Sequence, residues 1–467
     1  MLTFFLDKNL DTPLYEQLYL AIKKEIEVGN LKKNEKLPSK RKLGAHLEIS
    51  QTTVETAYAQ LLAEGYIKAK PKVGFFVTTN LDFLSKTKTS KFKKTVRKIN
   101  KEYEIDFKTN QVDAADFPYK VFAKIERDTV LDQLSQHLNR GDSFGLYELR
   151  ERIADILFSY RGIKARPEQI VIGSGSEHLI LLLVLLLGRE KVYAVEDPSY
   201  IKNYQLYQAY GVNVKTITLD NQGLRMDELS NSRAEIVHTT PSHQFPKGIV
   251  TQVERRLELI KWASEKSSRY LIEDDYDSEF RFFGSPIPAM KVMDRFEKVI
   301  YLNSFSKTLA PSFRLSYMVL PERLIDIYHE KLSFFSSSVP LINQLVMEQF
   351  IRSGEYEKHL NRMKNTYKLK RDYLINLLNN SGFNSKIKVY GEEAGLHFLV
   401  DINSDFSENA LVEMAKKYGV RVYGLSEYSL SSCNMYHVKT VVFGYSNLTT
   451  REMEKGVAKL EVAWKNI

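Results

Sequence analysis

Residues Tyr301–Pro321, YLNSFSKTLAPSFRLSYMVLP, decide the fold of most of this chain. An apolar strand, Val299–Leu302, runs into Asn303-Ser304-Phe305-Ser306-Lys307, and Arg314 follows the lysine by seven residues before a second apolar run, Leu315–Leu320. Upstream, the same alternation recurs. Gln169–Ile172 precedes a helical pattern over Glu177–Leu187, Val192–Val195 precedes a tyrosine-rich helix to Tyr210, and Ile236–Thr239 and Tyr270–Glu273 are further short runs. Strand-length apolar runs alternating with amphipathic helices predict an α/β domain on a largely parallel sheet, over residues 105–467. Ligands of such sheets sit beyond the carboxyl ends of the strands, so the residues after each strand are the candidates for chemistry.

Those residues form a consistent set. Gly173-Ser174-Gly175-Ser176 opens a helix, where small residues let backbone amides reach an anion. Glu196-Asp197-Pro198-Ser199-Tyr200 places an aromatic ring at the sheet edge, and Thr240-Pro241-Ser242-His243-Gln244 follows the third strand. The segment IEDDYDSEFR (272–281) supplies Asp274, Asp275 and Tyr276. Together they meet the demands of pyridoxal phosphate, which needs an amine, a carboxylate for its ring nitrogen, a donor for its 3-oxygen, a flat partner and a phosphate cradle. Lys307 is the expected Schiff-base lysine. Asp274, with Asp275 as the fallback, would pair with the pyridinium. Tyr276 would donate to the 3-oxygen and Tyr200 would stack on the ring. Gly175 and Ser176 amides, the Ser304 and Ser306 hydroxyls and Arg314 would hold the phosphate. His243, Gln244 or both are expected near the cofactor, and no metal site is expected.

The first 77 residues read differently. Leu14, Leu18, Ile22 and Ile26 share one helical face ended by Gly29. Ser39 can cap a short helix to Leu47, and Ser50 caps another whose inward face is Val54, Ala57, Tyr58, Leu61 and Leu62, ended by Gly65. Tyr66–Ala69 and Phe75–Val77 read as strands around Lys70-Pro71-Lys72-Val73-Gly74. Three helices with a tight turn before the third, then a basic hairpin, predict a winged helix-turn-helix that binds double-stranded operator DNA. Gln51, Thr52 and Thr53 would face bases, Ser39, Lys40, Arg41 and Lys42 would meet the backbone, and Lys72 and Gly74 of the hairpin would meet phosphate or the minor groove.

Charge agrees with this division. The net charge is +9, and residues 1–104 hold 20 Lys/Arg against 12 Asp/Glu, whereas the rest is nearly balanced. A basic excess at one end suggests a polyanionic partner there. Much of it lies between Phe83 and Lys101, within a Lys/Ser/Thr-rich stretch, 78–104, that reads as a flexible basic linker. The single cysteine, Cys433, excludes an intramolecular disulfide and fits a reducing cytoplasm. The most apolar run, Leu179–Leu187, is nine residues long, too short to span a bilayer, so no membrane association is expected. The N-terminus meets Asp7 before any long apolar region and does not read as a signal peptide.

The string LPSKRKLGAHLEISQTTVETAYAQLLAEGYI (37–67) with VGFFV (73–77) resembles the GntR family of regulators, except that Gln51 stands where that family usually has Arg. Residues 105–467 resemble a fold-type-I aminotransferase, and the combination resembles the MocR family of bacterial regulators, most closely its members that respond to pyridoxal phosphate. The resemblance implies a homodimer in which each DNA-binding head crosses over the partner's large domain. It implies that Arg140, where relatives often have Tyr, reaches the partner's cofactor phosphate. Three functions are open: a regulator sensing pyridoxal phosphate, a regulator sensing an amino acid such as γ-aminobutyrate through the bound cofactor, and a working aminotransferase. Two departures favour the first and speak against an enzyme. No Arg stands in the late strand Val438–Tyr445, where aminotransferases commonly carry a carboxylate clamp, and Lys202 replaces the Arg of γ-aminobutyrate responders. Arg421 is the remaining candidate cation, more readily read as an exposed surface residue.

Overall fold

The computed structural model describes residues 3–7, 10–78, 103–109, 111–113, 117–133, 141–284, 287–430 and 439–465. The chain divides into two compact units, residues 1–100 and 101–467. Most of the expected linker, residues 79–102, lies outside the described residues.

In the first unit, α1 (Leu14–Glu27) buries Leu18, Tyr19, Ile22 and Ile26, the spacing of one helical face. The Ser39 side chain caps α2 (Lys40–Leu47) by accepting from the Lys42 amide. Ser50 caps α3 (Gln51–Ala63) by accepting from the Thr53 amide at 3.0 Å. Between α2 and α3 the chain turns through Glu48, held left-handed at φ 53°. Gly44 makes that turn tight, because a Cβ there would lie 3.1 Å from the Ile49 carbonyl. Val54, Ala57, Tyr58 and Leu61 are buried, whereas Leu62 is only partly so. Each residue advances the helix by about 100°, so Leu61 takes the centre of the core and Leu62 its rim. β1 (Ile67–Lys70) and β2 (Gly74–Val77) pair antiparallel, with Ile67 opposite Val77. The Phe75 ring meets Tyr58 edge-on at 5.0 Å, which ties the hairpin to α3.

The second unit opens with β3 (Ile105–Asp106) and is built on an eight-stranded sheet. Its strands are β4 (Ile170–Gly173), β5 (Val192–Asp197), β6 (Asn213–Asp220), β7 (Gly223–Leu224), β8 (Ile236–Thr239), β9 (Tyr270–Asp274), β10 (Val299–Ser304) and β11 (Ser316–Val319). The order is β4-β11-β10-β9-β8-β5-β6-β7. β10, β9, β8, β5 and β6 run parallel, β11 runs against both its neighbours, and β7 folds back on β6. The sheet is therefore largely parallel, with an antiparallel insertion at β11. β6 was not expected, because its alternating, half-exposed residues form no apolar run.

Both faces of the sheet are covered, as parallel strands require. Ile236, Ile272, Ile300 and Leu302 pack against the helix Ser176–Leu187. Val237, Leu271 and Val299 pack on the other side against Leu259, Ile260 and Ala263 of the helix Val253–Ser264. A smaller four-stranded antiparallel sheet follows, built from β12 (Ile387–Tyr390), β13 (His397–Ile402), β15 (Tyr423–Gly424) and β16 (Lys439–Gly444). β14 (Val420–Arg421) pairs with β3, joining the start of this unit to its end. Among the described residues, no helix is long and apolar enough to cross a membrane.

Replacing Ser50 by Ala removes the α3 cap and should destabilise the first unit by about 1 kcal/mol. Hydrogen exchange of the amides in 51–63 should then accelerate roughly fivefold, with no change in the second unit.

Candidate functional site

The carboxyl ends of β5, β8, β9 and β10, with the start of the helix Ser176–Leu187, enclose a cavity of about 270 Å³. Ser176, Tyr200, Asp274, Tyr276, Ser304, Ser306, Lys307 and Arg314 all line it, so the structure gathers most of the residues singled out from sequence. The Lys307 amine is pushed down to about 7 by burial, with the Asp277 and Asp274 carboxylates pulling the other way. A substantial neutral fraction at ordinary pH is what a nucleophilic amine requires.

The acidic segment at the carboxyl end of β9 sends its residues in alternating directions. Glu273 accepts from the Met290 and Lys291 amides at 2.7 and 2.8 Å, outside the cavity. Asp274 faces the cavity, and its Oδ2 lies 3.1 Å from His238 Nε2. A carboxylate only accepts, so Nε2 carries the proton and Nδ1 accepts from the Tyr207 hydroxyl at 2.8 Å. This chain fixes the carboxylate's position. Asp275 turns away to Arg161 (2.8 Å) and accepts from the Tyr301 hydroxyl at 2.6 Å, so its role is structural and Asp274 is the group available to a ring nitrogen. The Tyr276 phenol lines the cavity, and burial together with the Asp277 and Asp274 carboxylates pushes its pKa far up, keeping it a donor.

His243 requires a correction. It does not line the cavity, but stands behind Tyr276, its Nδ1 3.1 Å from that hydroxyl and 2.9 Å from Asp277 Oδ2. The Asp277 carboxylate and the Tyr276 hydroxyl hold the His243 ring, so its contacts are those of a support for Tyr276. Gln244 is also buried behind the wall, donating to the Pro198 carbonyl at 2.8 Å and to Glu196 at 3.3 Å.

At the other end, the Ser316 hydroxyl donates to Ser304 (2.7 Å), which donates to Ser306 (2.8 Å). The Arg314 guanidinium rests on Gly175, where a Cβ would approach Nη2 to 2.8 Å. Gly175 sits at φ 99°, a conformation that L side chains rarely adopt. A helix N-terminus, paired hydroxyls and a guanidinium packed on a bare backbone fit a phosphate dianion. Tyr200, 40% exposed, is the flat ring on the cavity wall. Arg140 lies outside the described residues.

Several lining residues were not found from sequence. His238 lies within β8 and not beyond its end, and its one signal in the sequence is its place on the same face as the core residue Ile236. Glu196, whose carboxyl accepts from the Thr240 hydroxyl at 2.7 Å, and Glu177, which bridges Lys202 and Arg314, were also missed. Arg421 is no exposed residue. It is paired with Glu427 and lies 4.2 Å over the Tyr423 ring, away from the cavity.

On the winged unit, Ser39, Arg41, Lys42, Gln51, Thr52 and Lys72 are exposed. Lys40 is drawn to Glu55 and sits 5.5 Å over the Phe75 ring, so its ammonium is already engaged. Thr53 is tied to the cap, its hydroxyl 2.8 Å from Ser50 Oγ. Gly74, at φ 131°, lets the hairpin pass the Lys36 stem at close range.

Residues 103–460 match the family described as aminotransferase class I and II, and residues 14–77 match the bacterial regulatory proteins of the gntR family. The chain is 38% identical over 468 residues to the HTH-type transcriptional regulator YdeL of Bacillus subtilis, covering 99% of each chain. It is 26% identical to the HTH-type pyridoxine biosynthesis transcriptional regulator PdxR of Corynebacterium glutamicum, over 91% of this chain and 90% of that one. Among solved structures, kynurenine aminotransferase of Pyrococcus horikoshii is similar in fold, with a TM-score of 0.68 at 24% identity, covering 78% of this chain and 91% of that one. A helix-turn-helix head and a fold-type-I aminotransferase domain in one chain define a DNA-binding transcription regulator with a pyridoxal phosphate domain. The chain belongs to the MocR subfamily of GntR-type regulators.

A Lys307 amine held near 7 makes a kinetic prediction. The rate at which added pyridoxal phosphate develops its visible lysine-bound band should rise with pH up to about neutrality and then level off. A rate that keeps climbing toward the ordinary lysine range would contradict the buried amine.

Proposed function

We propose that this chain senses pyridoxal phosphate itself and controls genes for the synthesis or uptake of vitamin B6, acting on operator DNA as a homodimer. The observation that carries this reading is the makeup of the cavity. It gathers groups suited to the cofactor, while Arg314 is the only arginine lining it among the described residues. An amino-acid effector or substrate brings a carboxylate that needs a cation of its own. Lys202, the cation nearest to that task by sequence, is held by Glu177, and Arg421 is held by Glu427. The likeness to PdxR, whose name ties that protein to pyridoxine biosynthesis, supports the same reading.

Bound pyridoxal phosphate supplies an aldehyde that condenses with a primary amine and expels water. The chain's own residues do the rest. Lys307 offers the amine, and Asp274, steadied by His238, holds a proton on the ring nitrogen. The Tyr276 hydroxyl donates to the 3-oxygen, and Tyr200 covers the ring. Gly175, Ser176, Ser304, Ser306 and Arg314 hold the phosphate. Loading then biases the large units of the dimer toward one arrangement, which alters the spacing of the two heads on operator half-sites.

The decisive experiment adds pyridoxal phosphate alone, and then amino acids, while visible absorbance and operator binding are followed together. Operator binding should change with pyridoxal phosphate alone. A change that waits for an amino acid would overturn the reading in favour of an amino-acid sensor, and steady turnover of an amino donor with a keto acid would identify an enzyme. Lys307→Ala should lose the visible band and the response while keeping operator binding. On the head, Arg41→Ala should weaken binding to all sequences alike and reduce the salt dependence by about one ion, whereas Gln51→Ala should relax the preference at one base.

A further inference from the structure

Glu177 puts a negative charge inside the anion cradle. It is the second residue of the helix Ser176–Leu187 and lines the cavity beside Arg314, Lys202, Ser304 and Ser306. Its carboxylate lies 3.0 Å from Arg314 Nη2 and pairs with the Lys202 ammonium as well. The groups around it are those that would receive a phosphate: a helix N-terminus, a guanidinium and an ammonium. A carboxylate is favoured in this first turn when nothing else is bound there. A phosphate dianion seated on Arg314 meets it as a like charge. The Arg314 guanidinium, about half exposed, also rests on the bare backbone of Gly175, so carboxylate and phosphate would share the same face of the cradle.

We propose that Glu177 is a built-in rival of the cofactor phosphate for Arg314, a specificity-determining residue that keeps the affinity for the phosphorylated ligand in a readily reversible range. The inference rests on the functional reading above, with the phosphate seated at Arg314. Lys202 gives the displaced carboxylate somewhere to stay, since Glu177 can release the guanidinium and keep the ammonium. The hydrogen bond from Lys202 holds the Glu177 carboxyl below its ordinary range, so the rival charge persists at neutral pH. Each transfer of Arg314 from carboxylate to phosphate replaces one ion pair by another. The net gain from the guanidinium is therefore smaller than in a cradle without an acid. A sensor that must empty when the vitamer becomes scarce needs such a weakened grip.

The test compares the full-length protein with Glu177→Gln and Glu177→Ala. Each is titrated with pyridoxal phosphate and with pyridoxal, which lacks the phosphate, by visible absorbance and by calorimetry. Both variants should bind pyridoxal phosphate roughly three- to fivefold more tightly, the range set by one partly exposed ion pair, and should bind pyridoxal as before. Weaker binding of pyridoxal phosphate would make Glu177 a support for Arg314 and overturn the proposal. Equal tightening for both ligands, or no change for either, would overturn it too. Should the unaltered protein develop no band with either ligand, the reading of the cavity falls along with this one. A band that forms normally but ignores Glu177 removes only the rivalry.

Discussion

Keeping a lysine amine out of water is the constraint around which the large unit is arranged. Burial disfavours the ammonium form of Lys307, and the Asp277 and Asp274 carboxylates act against that cost. Each carboxylate must itself be held where it is useful. Asp274 leans on His238 and Tyr207, Asp277 leans on His243, and His243 in turn meets the Tyr276 phenol. The segment after the lysine is pinned from below, with His359 Nε2 2.8 Å from the Thr308 carbonyl and the Tyr356 hydroxyl donating to Thr308 Oγ1 at 3.3 Å. What lines the cavity is thus one layer of a polar network several residues deep, and the groups that face a ligand owe their positions to groups that do not.

That depth explains what could be read from the sequence. The parallel strands announced themselves as apolar runs, and small or charged residues after them pointed to the cavity because strand ends converge there. Ser39 and Ser50 were legible as caps for an equally local reason, each preceding a helical pattern by one residue. The supporting layer is not local. Nothing in the order of residues 272–281 says that Asp275 turns to Arg161 while Asp274 turns to the cavity, because the partner lies more than a hundred residues upstream. His243 was expected at the cofactor on its position after β8, and only the three-dimensional placement of Asp277 shows why it is drawn back. β6 escaped notice because half-exposed strands alternate in character where buried ones run continuously apolar.

The winged unit follows a simpler logic, and the exceptions within it are informative. Its basic residues are not interchangeable points of charge. Lys40 is occupied by Glu55 and by the face of Phe75, which places it between α2, α3 and the hairpin as a structural clasp. Arg41 and Lys42, one and two positions on, project to solvent. A run of like residues read as one phosphate-binding patch therefore divides into a residue that stabilises the fold and residues left available to a polyanion. The same division separates Thr53, spent on the cap of α3, from the exposed Gln51 and Thr52.

The two halves of the chain apply one electrostatic device to different ends. In the winged unit, Arg41 and Lys42 at the start of α2 are exposed, an arrangement suited to a partner whose charge is spread along a surface. In the large unit, the cations lining the cavity sit among acids, with Glu177 joining Arg314 to Lys202 across the mouth of the cradle. A catalyst gains from holding its cofactor permanently, so an acid beside the phosphate site would be a defect in one. A regulator gains from exchange, because occupancy carries information only if it can fall. On the proposal that the cavity senses pyridoxal phosphate, the acid paired with Arg314 and Lys202 is what would let occupancy fall with supply.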